Sequence, residues 1–156
     1  MKLLMDADCL IKLTKAGLKD LVAEKNVLFI PAVVKCEVVD AGKDKGCADA
    51  FIVEENIKAQ KIAIAESTAE HLTGDDALTT LFRMDLYDAV ATDDAKLVRK
   101  FKMHGIPFIL PALIFYRLWM DKLLAKSAAI GCLEQLAEFI SEEEYSTARL
   151  LMERDE

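Results

Sequence analysis

Five short apolar runs, separated by longer stretches of helical periodicity, restrict this chain more than any other feature. The runs are 2–5, 27–30, 62–65, 88–92 and 106–110. Polar or turn residues bound each one, as expected for strands buried on both faces of a parallel sheet. Helical patterns over 9–19, 77–86 and 95–103 fall between them. Gly105 is placed to close the last of these as a C-cap. Pro31 and Pro111 each follow a strand and suit the first turn of a helix, where a missing N–H costs nothing. Alternation of this kind predicts an α/β fold with right-handed crossovers and helices on both faces of the sheet, a three-layer α/β/α arrangement. After Pro111 the strand signal stops, and 112–122, 123–140 and 145–153 predict a helical C-terminal extension. Ser141 with Glu144 predicts a capping box for the last helix. The 156 residues suit a single domain, 1–156, with a core of about 1–115 and C-terminal helices over about 112–156.

Composition excludes several classes. A hydrophobic fraction of 53% argues for a packed core and against disorder. The longest apolar runs fall well short of the ~20 residues that a membrane span needs. Asp6 comes too early for a signal peptide, so cytoplasmic residence is the expectation. Cys9, Cys36, Cys47 and Cys132 have no zinc-type spacing and read as free thiols. Net charge is −7, but residues 134–156 hold eight acids and two bases, so the rest of the chain is nearly neutral. An acidic balance of this kind does not bar a nucleic-acid substrate. Lys96, Arg99, Lys100, Lys102 and His104 form a basic stretch beside the last acidic pair, suited to phosphate.

The acids fall at particular places. Asp6 and Asp8 follow the first strand, Asp75 and Asp76 follow Gly74, and Asp93 and Asp94 follow the fourth strand. Glu37 lies among Val33, Val34, Val38 and Val39, which predicts a buried carboxylate in need of a cation. On a parallel sheet, residues at strand ends share one edge. Taken singly, each aspartate is an ordinary helix cap. Taken together they repel one another, and a hard divalent cation such as Mg²⁺ or Mn²⁺ relieves that repulsion.

The ordered set of motifs resembles the PIN-domain family of metal-dependent ribonucleases, over roughly residues 1–115. The opening motif is similar in Leu3-Leu4-Met5-Asp6-Ala7-Asp8-Cys9-Leu10-Ile11, with Asp8 where a hydroxyl or amide is usual. Ile30-Pro31-Ala32-Val33-Val34-Lys35-Cys36-Glu37-Val38 matches the proline-started helix with an embedded Glu. Asp76-Ala77-Leu78 resembles the third motif, and Thr92-Asp93-Asp94 the fourth. The resemblance implies a PIN-like fold and Mg²⁺- or Mn²⁺-dependent hydrolysis of RNA. It makes Asp6, Glu37, Asp76 and Asp94 the catalytic and metal-binding set. Asp75 and Asp93 have the same spacing and remain alternatives, and Thr92 would donate a hydrogen bond within the site. The resemblance also implies a toxin of a toxin–antitoxin pair, with an antitoxin protein as partner, and a homodimer.

Two other readings compete. Asp-x-Asp after a first strand also opens haloacid-dehalogenase-like phosphatases, although Leu10 stands where that family commonly has a hydroxyl and Glu37 would be unexplained. A catalytically inactive regulatory module that binds a protein would account for Asp8 and the acidic C-terminus. On the helix after Pro111, Phe115, Trp119 and Met120 exceed what one face can hide, which predicts a dimer contact there.

Overall fold

A computed structural model describes residues 1–65, 73–82 and 86–154. The chain runs β1 (Lys2–Met5), α1 (Ala7–Lys15), α2 (Lys19–Lys25), β2 (Val27–Pro31) and α3 (Ala32–Lys35). A π-helical turn over Cys36–Asp40 joins α3 to α4 (Ala41–Asp44). Then come α5 (Ala48–Lys58), β3 (Ile62–Ala65), α6 (Gly74–Phe82), β4 (Ala89–Ala91), α7 (Ala95–His104) and β5 (Phe108–Ile109). The last segments are α8 (Pro111–Met120), α9 (Lys126–Leu136), a 3₁₀ turn (Ala137–Phe139) and α10 (Glu142–Arg154).

All strand pairings are parallel, in the order β3-β2-β1-β4-β5. Successive strand residues point to opposite faces. Leu3, Met5, Leu28, Ile30, Ala89 and Ala91 therefore join one hydrophobic cluster, with residues of α1, α2, α5 and α8 to α10. Leu4 and Val90 join the other, with Leu78 and Leu81 of α6 and Leu97 and Phe101 of α7. Helices thus cover both faces of an α/β sheet, as the alternation predicts.

Several boundaries differ for identifiable reasons. The helix predicted over 9–19 is split in two, because Gly17 takes a left-handed φ of 70° after α1. Leu18 N–H then closes back on Leu13 C=O at 2.9 Å. Lys122, with φ 60°, ends α8 in the same way and delays α9 to Lys126. Gly105, with φ 64°, caps α7 as expected. Pro31 ends β2 and caps α3 rather than opening it, whereas Pro111 opens α8. Residues 83–85 of the helix predicted over 77–86 lie outside the described residues. The dimer argument loses its basis on α8. Phe115 is fully buried, and α9 and α10 supply Ala129, Leu133, Leu136, Ala148 and Met152 to the same cluster. Lys126 lies over the Trp119 ring at 5.1 Å, which leaves Met120 as the exposed member of the trio.

Candidate active site

The chain lays down β1, β2 and β3 in one direction, then returns to place β4 on the other side of β1. Ligands of open parallel sheets bind at such a reversal, outside the C-terminal ends of the strands. Asp6 leaves β1 there and Asp93 follows β4. Asp6 N–H donates to Ala91 C=O at 3.0 Å, which fixes the two exits side by side.

Asp6 is held by both oxygens. Ala7 N–H donates to Oδ1 at 2.7 Å, and the buried Thr92 hydroxyl donates to Oδ2 at 3.0 Å. Burial nevertheless pushes its carboxyl up to about 6. Those two bonds oppose the rise, while Asp8 and Asp75 add to it by repulsion. Desolvation and neighbouring like charge both disfavour the ionised form. Thr92 Oγ1 also accepts from Asp94 N–H at 3.2 Å, so one hydroxyl organises the end of β4 and the end of β1.

Glu37 departs from the burial predicted for it. The π turn widens the helix after β2, so Val38 and Val39 are buried while Glu37 faces outward. π turns of this kind often occur at functional sites. A Cβ added to Gly74 would meet Glu37 Oε2 at 3.4 Å and Oε1 at 3.5 Å. The carboxylate therefore lies against the first turn of α6, next in sequence to Asp75, where the helix dipole favours negative charge.

The paired aspartates divide. Asp76 turns to Lys100, whose ammonium donates to Oδ1 at 2.9 Å, and Thr73 donates to Oδ2 at 3.0 Å. Lys100, then Thr73, hold its carboxyl below the usual carboxylate range. Asp94 caps α7, accepting from Lys96 and Leu97 N–H at 2.8 Å each. Asp75 acts on Asp6 electrostatically. Asp93 accepts from Lys12 Nζ at 2.6 Å through Oδ2, while its Oδ1 is buried and without a hydrogen-bond partner among the described residues.

Two groups at this edge were not predicted. Lys12, on α1, reaches Asp8 at 2.7 Å as well as Asp93 at 2.6 Å. Burial works against its charge, but the bonds to Asp8 and Asp93 prevail and hold the ammonium at about 12. Its i, i+4 spacing from Asp8 was a usable signal. Glu144, on α10, is buried, and its Oε1 accepts from Ala112 N–H at 2.8 Å. Burial raises its pKa against that bond, with Asp93 adding repulsion. The predicted capping box is thus half made: Ser141 Oγ accepts from Glu144 N–H at 3.1 Å, but the Glu144 carboxylate is spent on α8. Cys9 is buried among these charges, and burial, then Asp93 and Asp6, raise its thiol well above its ordinary value.

Among the described residues, no three His, Cys, Asp or Glu side chains come together in a group that could hold a metal ion. The donor chemistry suits a hard cation nonetheless. The acids at the edge offer oxygen alone, Asp93 Oδ1 has no partner among the described residues, and Asp6 is held where its ionised form is disfavoured. A cavity of about 570 Å³ opens at the opposite edge, lined by Lys2, Asn26, Val27, Tyr87 and Asp88 at the strand beginnings. Glu24 and Asp88 are its acids, and it lies at the strand beginnings away from the reversal, so the edge at Asp6 is the better candidate. No protein-family model matches the chain, and no curated protein matches it significantly.

Proposed function

We propose that this protein is a PIN-like, Mg²⁺- or Mn²⁺-dependent ribonuclease that hydrolyses RNA phosphodiester bonds at the edge between β1 and β4. The observation that carries this reading is Asp6, partly buried where β1 and β4 exit side by side and fixed by Ala7 N–H and the Thr92 hydroxyl, with Asp8 and Asp75 near enough to repel its charge. Carboxylates do not gather at a ligand-binding edge for stability. Asp6, Glu37 and Asp75 would hold the ion, with Asp93 Oδ1 beside them. Asp75 stands in for Asp76 in this assignment, because Lys100 and Thr73 engage both Asp76 oxygens; Asp94 caps α7 through Oδ1 and Asp93 bonds Lys12 through Oδ2, so each keeps a second oxygen for an ion. When bound, a divalent ion would lower the pKa of a coordinated water and neutralise charge on the phosphate.

The chain's own residues supply the rest. Thr92 and Ala7 N–H fix the Asp6 carboxylate in orientation. Glu37, exposed above the start of α6, would reach the ion from that side. Lys96 and Arg99, exposed on α7, would draw the RNA backbone, and Lys15 and Lys45 line a groove of about 190 Å³ that includes Glu37. A homodimer and an inhibitory protein partner belong to the same reading.

Calorimetric Mn²⁺ titration with RNA cleavage is the test. Asp6→Asn should abolish cleavage and weaken Mn²⁺ binding while the chain stays folded. Equal Mn²⁺ affinity in both proteins would remove Asp6 as a ligand, and absence of both activities in the wild type would sink the proposal. One observation favours a second reading, an inactive module that binds a protein: Lys12 already bridges Asp8 and Asp93 and occupies an oxygen of each. Folded wild type without Mn²⁺ affinity would support it.

A further inference from the structure

Lys19, at the start of α2, is a buried cation with little to hold it. Lysine is almost never fully buried unless it is paired, yet the Lys19 side chain keeps only 3% exposure. Its ammonium is buried and has no hydrogen-bond partner among the described residues. Asp20 Oδ1 lies 3.5 Å away, well beyond the roughly 2.7–2.9 Å of a charge-assisted bond. Lys61, just before β3, reaches the same oxygen at 3.6 Å. One carboxylate oxygen therefore faces two ammonium groups and bonds neither closely. Burial pushes the Lys19 ammonium below its ordinary value against the pull of Asp20; Lys61 pushes the same way as burial, and Glu55 adds the smallest pull.

Lys19 borders a cavity of about 150 Å³, together with Thr14, Gly17, Asp20 and Ile52. That is roughly five times the ~30 Å³ share of one water in the liquid, so a group of roughly four or five heavy atoms fits. The local fold makes the space. Gly17, at φ 70°, turns the chain out of α1, and α2 begins at Lys19. Ile52 comes from the exposed side of α5. The Thr14 hydroxyl donates to Leu10 C=O at 2.8 Å, so its proton is already used. An ammonium brings three N–H donors and no acceptor. Lys19 and Lys61 together set two positive charges against the single charge of Asp20. The cavity is thus richer in donors and positive charge than in acceptors, and a buried donor of this kind is costly until it is bonded.

We infer that this cavity binds a small oxyanion, a phosphate or a carboxylate in class, with Lys19 and Lys61 as its cationic partners. Oxygen atoms placed between the two ammonium groups would complete their bonds on the side away from Asp20. Lys61 precedes β3, at the strand beginnings, so the site lies at the opposite edge of the sheet from Asp6. It does not rest on the ribonuclease reading.

Calorimetric titration of the full chain tests it, at constant ionic strength with chloride as the balancing salt. Inorganic phosphate and acetate are the probes, in separate arms, and the tighter arm identifies the oxyanion class. Wild type should bind one of them saturably, one per chain. Lys19→Met keeps the stem and removes the charge; it should weaken binding by roughly tenfold or more, as expected for loss of a charge a few ångströms from the anion. Lys61→Met should weaken it by several-fold. Lys122→Met, at the exposed turn after α8, should leave it unchanged. Wild type that binds neither probe saturably would overturn the inference, and that measurement does not depend on any variant folding. Wild-type affinity in folded Lys19→Met, or in Lys61→Met, would overturn it as well.

Discussion

Asp6→Asn should make the metal-free protein more stable while removing its proposed function. The Asp6 carboxyl is raised from 3.8 to about 6 by folding. At about 1.4 kcal/mol per pKa unit, ionising it in the folded state costs roughly 3 kcal/mol. The folded chain holds this proton more tightly than the unfolded chain, so the contribution is present below about pH 4. It is lost as the pH rises through about 6. An amide has no charge to bury. Its oxygen can keep the Ala7 bond, and its nitrogen can donate to Thr92 Oγ1, which has a second lone pair available while accepting from Asp94 N–H. About 1–3 kcal/mol of stabilisation should follow at pH 8, or roughly 2–10 °C in Tm for a chain of this size. Circular dichroism melts in a chelator, at pH 4 and pH 8, give the comparison. The gain should be present at pH 8 and nearly absent at pH 4. An Asp6→Asn protein that melts at or below the wild type at pH 8 would refute the account of Asp6 as an anion held against its preference.

Asp75→Asn should weaken Mn²⁺ binding, whereas Asp76→Asn should leave it nearly unchanged, because Asp76 is occupied by Lys100; calorimetry separates the two. Glu144→Ala should destabilise by about 1–3 kcal/mol, since it leaves the buried Ala112 N–H without its acceptor, and denaturant melts will register it. Gly105→Ala places a Cβ at φ 64° and should cost about 1 kcal/mol in the same assay, with Mn²⁺ affinity preserved.

The periodic parts of the fold were legible. β1 and β3 fall where their apolar runs lie, and the exits of β1 and β4 lie side by side because those strands are parallel neighbours. α5 carried no readable stripe: Ala50 and Val53 face the core, but Phe51 and Ile52 between them are exposed. The partners that each paired aspartate takes were not legible. They depend on Lys100 reaching α6 from α7 and on which carboxylate turns back to cap a helix, and adjacent identical residues give no periodic clue. Glu37 was misjudged because its valine neighbours imply a regular helix, and the π turn re-aims it. Lys12 and Glu144 were missed for a common reason. Each had a local role available, an i, i+4 pair for one and a capping box for the other, and each makes its decisive contact with a distant segment.

That distant contact of Glu144 bears on the order in which the molecule can be completed. During synthesis the sheet strands and α8 emerge first, with the Ala112 amide still lacking its acceptor and the apolar face of α8 still bare. The acceptor arrives only 32 residues later, and the side chains that cover α8 come from the same late stretch. A nascent chain that ends before α10 therefore carries every proposed metal ligand on an unfinished scaffold. Completion of the acidic edge is tied to α10, which is synthesised after every residue that would hold the ion.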